Sequence, residues 1–198
     1  MPFSTDTDWP QSLYRAFNAF RRTQTGFENR YYGPYTTLLT YCFGESLPGQ
    51  YVVAPQNPTG DRDHQRATLG FIVFLVLDAN PHPLLFVEVK NDELEGATVA
   101  ENRYKADAQI RARYDKMFPL CPLPRLWGLS LFGTSLRVYC GTVETEEVEP
   151  GIEYPPSSTR SFSPDFLEGE WDLDILSPEG FEKIKEIVTD IEAGVAAL

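Results

Sequence analysis

Two apolar runs separated by a short polar turn constrain this chain more than any other feature. "GFIVFLVLD" (70–78) and "LLFVEVK" (84–90) are joined through "DANPHP". The unbroken first run predicts a central strand covered on both faces, and the run-turn-run order predicts a hairpin. Strand alternation puts Leu84, Phe86, Glu88 and Lys90 on one face and Leu85, Val87 and Val89 on the other. A carboxylate and an ammonium thus emerge side by side at the end of a buried strand. Burying either alone would cost roughly several kcal/mol, so the pair must be mutually neutralised, open to a cleft, or bound to an ion. The tripeptide E-x-K is common, and a strand that simply leaves the core at Glu88 would also produce it.

The rest of the chain supplies the context. Residues 8–23 predict a helix capped by Asp8, with Leu13, Phe17 and Phe20 on one face. A second helix follows Gly33-Pro34, with Tyr35, Leu38, Leu39 and Cys42 apolar and Gly44 past its end. "GQYVVAPQ" (49–56) is a short strand, and "NPTGDRDHQR" after it is a polar loop. Residues 101–117 predict a helix with the stripe Tyr104, Ala106, Ile110, Tyr114 and Met117. Two further strands follow at 125–133 and 135–141, then an acidic, proline-rich excursion over 142–168. Ser177-Pro178 opens a last helix to 197, where Phe181, Ile184, Val188, Ile191 and Val195 repeat at three and four. That spacing is core packing in the first instance, and it leaves room for a homodimer.

This order predicts an α/β (α+β) class, a mixed central β-sheet flanked by helices. At 198 residues one domain is expected: an N-terminal helical extension (1–30), a core (31–141), the exposed acidic loop and the C-terminal helix.

Charge and cysteine content narrow the function classes. A formal net charge of -12 repels polyanions, so any nucleic-acid contact needs a local basic strip. The helix 101–117 offers one: Asn102, Lys105, Gln109, Arg113 and Lys116 recur at three and four, a pattern that an ordinary solvated helix face also shows. Three cysteines without C-x-x-C spacing, and two histidines without a ligand pattern, predict a reducing intracellular compartment, cytoplasmic or nuclear, and no structural zinc. No run approaches the ~20 apolar residues of a membrane span, and the start "MPFSTDTDWPQSL" is not a signal peptide. G-x-S-x-G, Walker A and helix-opening G-x-G-x-x-G motifs are absent.

"GFIVFLVLDANPHPLLFVEVK" followed by "ADAQIRARY" resembles the core of PD-(D/E)XK nucleases. The resemblance implies a restriction-endonuclease-like αβββαβ core and a phosphodiester hydrolase that uses Mg2+ or Mn2+ on DNA. Glu88 would be the acidic metal ligand, Lys90 the lysine that orients the attacking water, and Gln109 the polar residue of the following helix. Lys105, Arg113 and Lys116 would contact the substrate. Longer stretches, among them "RARYDKMFPLCPLPRLWGLSLFGTSLRVYCG" and "PDFLEGEWDLDILSPEGFEKI", resemble a group of uncharacterised basidiomycete fungal proteins, which implies no activity.

One departure bears on the chemistry. The superfamily's first acid, an aspartate early in the strand before E-x-K, falls near Gly70, which has no carboxylate. A hard divalent ion in a phosphodiesterase site normally needs at least two carboxylates. Asp63 or Asp61 in the preceding loop would have to join Glu88 as metal ligand, with Glu28 and Glu45 as further candidates. Without such an acid, the fold serves as a catalytically inactive binding or scaffold domain.

Overall fold

A computed structural model describes residues 2–22, 30–44, 50–56, 71–90, 98–154 and 162–198. The elements are α1 (Pro2–Thr5), α2 (Gln11–Arg22), α3 (Tyr32–Phe43), β1 (Val52–Gln56), β2 (Phe71–Leu77), β3 (Pro83–Lys90), α4 (Ala100–Met117), β4 (Arg125–Phe132), β5 (Ser135–Thr142), β6 (Glu147–Glu149), β7 (Leu173–Asp174) and α5 (Pro178–Ala196). Among the described residues, seven strands form one mixed sheet in the order β1-β2-β3-β4-β5-β6, with β7 also paired to β5.

The first three strands form an antiparallel meander. β3 then pairs in parallel with β4, a connection that needs a long crossover, which α4 supplies. Every residue of β3 is buried, as a strand flanked on both edges and covered on both faces must be. Its register runs Val73↔Glu88↔Ser130↔Arg137 across four strands, and two residues further along Lys90 faces Phe132.

The two faces differ in chemistry. One packs Val87, Val89, Leu129, Leu131 and Leu136 into an apolar core with Leu13, Phe17, Tyr35, Leu38, Phe181 and Ile184 of α2, α3 and α5. Its polar atoms close on backbone: Tyr35 Oη donates to Gly133 O at 2.6 Å, and Trp9 Nε1 donates to Ile175 O at 2.8 Å. α5 begins where the sequence predicts, the Ser177 side chain accepting from Gly180 N at 3.0 Å.

α4 covers the other face and lies close against it. The Tyr114 ring meets Phe86 with centroids 4.9 Å apart, an approach that requires Gly128 and Gly141 beneath. A Cβ on Gly128 would lie 2.8 Å from Tyr114 Oη and 2.9 Å from Phe86 Cζ, and one on Gly141 would lie 2.5 Å from Phe118 Cε1.

The structure corrects several expectations. Asp8 does not cap α2, which starts at Gln11; its carboxylate instead accepts from Trp9 N and Tyr14 Oη. Phe20 and Tyr104, expected in the core, are 39% and 38% exposed. The buried side of α4 is Ala100, Arg103, Ala106, Asp107, Ile110 and Tyr114, so Arg103 and Asp107 turn inward where the sequence stripe placed Tyr104, while Met117 is half-buried against the core as expected. The excursion is not solvated throughout: it contributes β6, and Phe166 and Leu167 at its end are buried, as is Trp171 just beyond it. Gly70 and the 57–69 loop lie outside the described residues. No described helix is long and apolar enough to cross a membrane.

Gly128→Ala is expected to destabilise the fold by about 1–3 kcal/mol in urea denaturation. Gly151→Ala, where nothing lies within 4 Å of the added carbon, should leave the midpoint almost unchanged.

Candidate functional site

Glu88 and Lys90 lie on the α4 face of the sheet, 0% and 1% exposed, and each is neutralised locally. Lys90 Nζ donates to Glu88 Oε1 at 2.6 Å and also to Gln109 Oε1. Arg113 Nε donates to the other oxygen, Glu88 Oε2, at 2.7 Å. Gln109 and Arg113 are four apart on α4, so one helical turn spans the pair on the strand. Burial lowers the Lys90 pKa from its ordinary value, and the Glu88 carboxylate pulls against that shift.

The sequence-predicted trio Glu88, Lys90 and Gln109 therefore meets in space, and Arg113 joins it as a partner of Glu88. The remaining members of the proposed basic strip do not. Lys105 pairs with Glu101 at 2.6 Å on the exposed side of the helix, and Lys116 is exposed in its last turn. The strip is divided between the inward-turned Gln109 and Arg113 and the outward-turned Lys105 and Lys116, with Asn102 half-buried in the first turn, and does not present one cationic row.

The fit of a divalent cation can be tested on the donors present. Among the described residues no group of three or more His, Cys, Asp or Glu side chains is placed to hold a metal. Both Glu88 oxygens accept from cationic donors, and the residue across from Glu88 on β2 is Val73, 1% exposed. A hard dication would have to displace an ammonium and a guanidinium to reach one carboxylate, so the described donors do not fit Mg2+ by themselves. Asp61, Asp63, Glu28, Glu45 and His64 lie outside the described residues. His82 stands apart from the site at the β2–β3 turn, its Nδ1 3.0 Å from Asp78 Oδ2.

Sequence reasoning missed a second polar cluster on the same face. Asp107 on α4 receives Arg111 Nε at 2.8 Å, Arg137 Nη1 at 3.1 Å and Tyr139 Oη at 2.9 Å. Arg137 continues to Glu170 at 3.1 Å and lies 5.1 Å from the Trp171 ring centroid, while Trp171 Nε1 donates to Ser130 Oγ at 3.3 Å. Burial raises the Tyr139 pKa well above the usual phenol range. The signal was present in "SLRVYCG": alternation puts Arg137 and Tyr139 on the face opposite Leu136 and Val138, as it does for Glu88.

The chain matches no family model, no curated protein and no solved structure. The site is therefore read from its own chemistry.

Glu88→Ala should cost about 3–5 kcal/mol of stability, because it leaves the Lys90 ammonium buried without its closest carboxylate. Replacing both partners, Glu88→Leu with Lys90→Met, is expected to recover most of that loss. Guanidinium denaturation of the three variants measures the difference.

Proposed function

We propose that this chain is a nuclease-fold protein of the PD-(D/E)XK type that acts as a binding domain and does not cleave by itself. The fold part of the reading draws on the order α3-β1-β2-β3-α4-β4 with β3 and β4 parallel. It also draws on Glu88, Lys90 and Gln109 meeting at the end of β3. The inactive part rests on one observation: both Glu88 oxygens are occupied by cationic donors while Val73 faces the carboxylate from β2. A buried carboxylate balanced in this way is an internal ion cluster, and the free energy of stripping its partners opposes a metal ion.

One observation favours a second reading, the Mg2+- or Mn2+-dependent phosphodiester hydrolase acting on DNA. The segment that carries Asp61 and Asp63 leads into β2 at Phe71, which lies across from Lys90 in the strand register. An acid delivered there would give Glu88 the second carboxylate that such a site requires. Asp63 would then be the partner ligand of Glu88, with Lys90 placed to hold a water.

Titration calorimetry with Mn2+ and Mg2+ separates the two readings. The binding-domain reading expects no heat of binding up to millimolar metal for the wild type or for Asp63→Asn. Binding in the millimolar range or tighter that disappears in both Glu88→Gln and Asp63→Asn, together with cleavage of a plasmid substrate, would establish the hydrolase instead.

A further inference from the structure

Residues 162–172, "FSPDFLEGEWD", fold as successive tight turns across the end of α4. Phe166 N, Glu168 N and Asp172 N each bond to the carbonyl three residues back, at 3.0, 2.9 and 3.2 Å. Leu167 and Gly169 take positive φ values of 54° and 81°, which set the chain's direction there. The segment carries four acids, Asp165, Glu168, Glu170 and Asp172, and no basic residue.

Two buried arginines bind this segment. Arg103 Nε donates to Phe166 O at 2.7 Å and Arg103 Nη2 to Pro164 O at 2.5 Å. Arg137 Nη2 reaches Glu170 at 3.1 Å, and its guanidinium lies between the Trp171 and Tyr139 rings. Arg103 and Arg137 are each 3% exposed. Arg137 is held by the carboxylates of Asp107 and Glu170, whereas two nitrogens of Arg103 meet main-chain carbonyls, and a guanidinium binds carboxylate and phosphate more strongly than neutral oxygen.

The segment also sits on an apolar cluster of its own. Ala100, Ala106, Phe132, Phe166, Leu167 and Trp171 pack together apart from the main core. A small satellite cluster under a turn-rich segment is the kind of unit that opens without global unfolding. Phe132 at its base lies beside Lys90 in the β3–β4 register, and the Trp171 ring rests on it with centroids 5.4 Å apart. Lifting the segment would uncover Arg103 and the side of Arg137 that Glu170 now holds, on the same face of the sheet as Lys90, and would carry four negative charges away.

We infer that residues 162–172 are an autoinhibitory strap: they occupy with carbonyl and carboxylate oxygens the arginines Arg103 and Arg137, which a nucleic-acid phosphate backbone engages once the strap opens. A phosphate oxygen in place of the Phe166 and Pro164 carbonyls would put a charged acceptor on those two Arg103 nitrogens, an exchange that favours the ligand there. This rests on the nuclease-fold reading only for the class of ligand, and it holds whether or not the site can bind metal.

The test uses the full chain with the double substitution Phe166→Ala and Glu170→Gln, which removes apolar and ionic anchors of the strap and leaves both arginines in place. Trp171 emission, taken as the difference from a Trp171→Phe background, reports release by shifting to the red. Anisotropy of a fluorescein-labelled single-stranded 12-mer DNA, in EDTA so that metal chemistry has no part, reports binding. We expect a red shift and binding at least about tenfold tighter than wild type, steeply weakened by salt, with the gain removed by adding Arg103→Ala. A red shift without tighter binding would overturn the inference. So would an unchanged emission, because a segment that survives both losses is part of the core. Should the double variant fail to fold by circular dichroism, Glu170→Gln alone carries the same two readouts at smaller amplitude. Metal-dependent cleavage by the wild type would refute the binding-domain reading without touching this result.

Discussion

Placing an ammonium and a carboxylate inside the sheet, on a strand with neighbours at both edges, governs much of what surrounds them. Each ion alone would lose several kcal/mol of hydration, roughly. Contact between Lys90 and Glu88 offsets only part of this, since the carboxylate has a second oxygen and the ammonium further protons to satisfy. α4 supplies the complement from one turn, Gln109 to the lysine and Arg113 to the glutamate. The helix is held over that spot by the parallel pairing of β3 and β4, which obliges the chain to cross the sheet between them.

Close contact of α4 with the sheet has two further consequences. Gly128 and Gly141 provide the depth in which the Tyr114 and Phe118 rings sit. Farther toward the start of the helix, where Arg103 and Asp107 turn inward, the sheet answers with Arg137 and Tyr139, and the segment 162–172 closes the outside. The α4 face thus carries two buried polar clusters beside the apolar packing of Phe86, Ile110, Tyr114 and Phe118, while the opposite face is apolar.

Much of that was readable from residue order because strand periodicity is rigid. The alternation in "LLFVEVK" alone puts Glu88 and Lys90 on one face, whereas Gln109 was singled out as a site residue through the resemblance, and it does meet Lys90. The inward turn of Arg103 and Asp107 was not legible, because their partners lie 30 to 63 residues further along the chain. Helix periodicity ranked Tyr104 above a charged neighbour that had such a partner. β6 and β7, with three and two residues, are too short to leave a pattern. The late part of the acidic excursion reads as solvated by composition, yet Phe166, Leu167 and Trp171 within "PDFLEGEWD" were the apolar anchors that composition averaged away. The acids of the 57–69 loop bear on the metal question from outside the described residues.

Lys90 and Arg113 occupy the two Glu88 oxygens, and we propose that this carboxylate does not serve as a metal ligand. Anomalous scattering from a crystal of the protein soaked in Mn2+ tests it at the atom concerned. No anomalous peak is expected at Glu88, with Lys90 Nζ and Arg113 Nε still on its two oxygens. A peak about 2.1–2.3 Å from Glu88, shared with Asp61 or Asp63 and with Arg113 displaced, would contradict it.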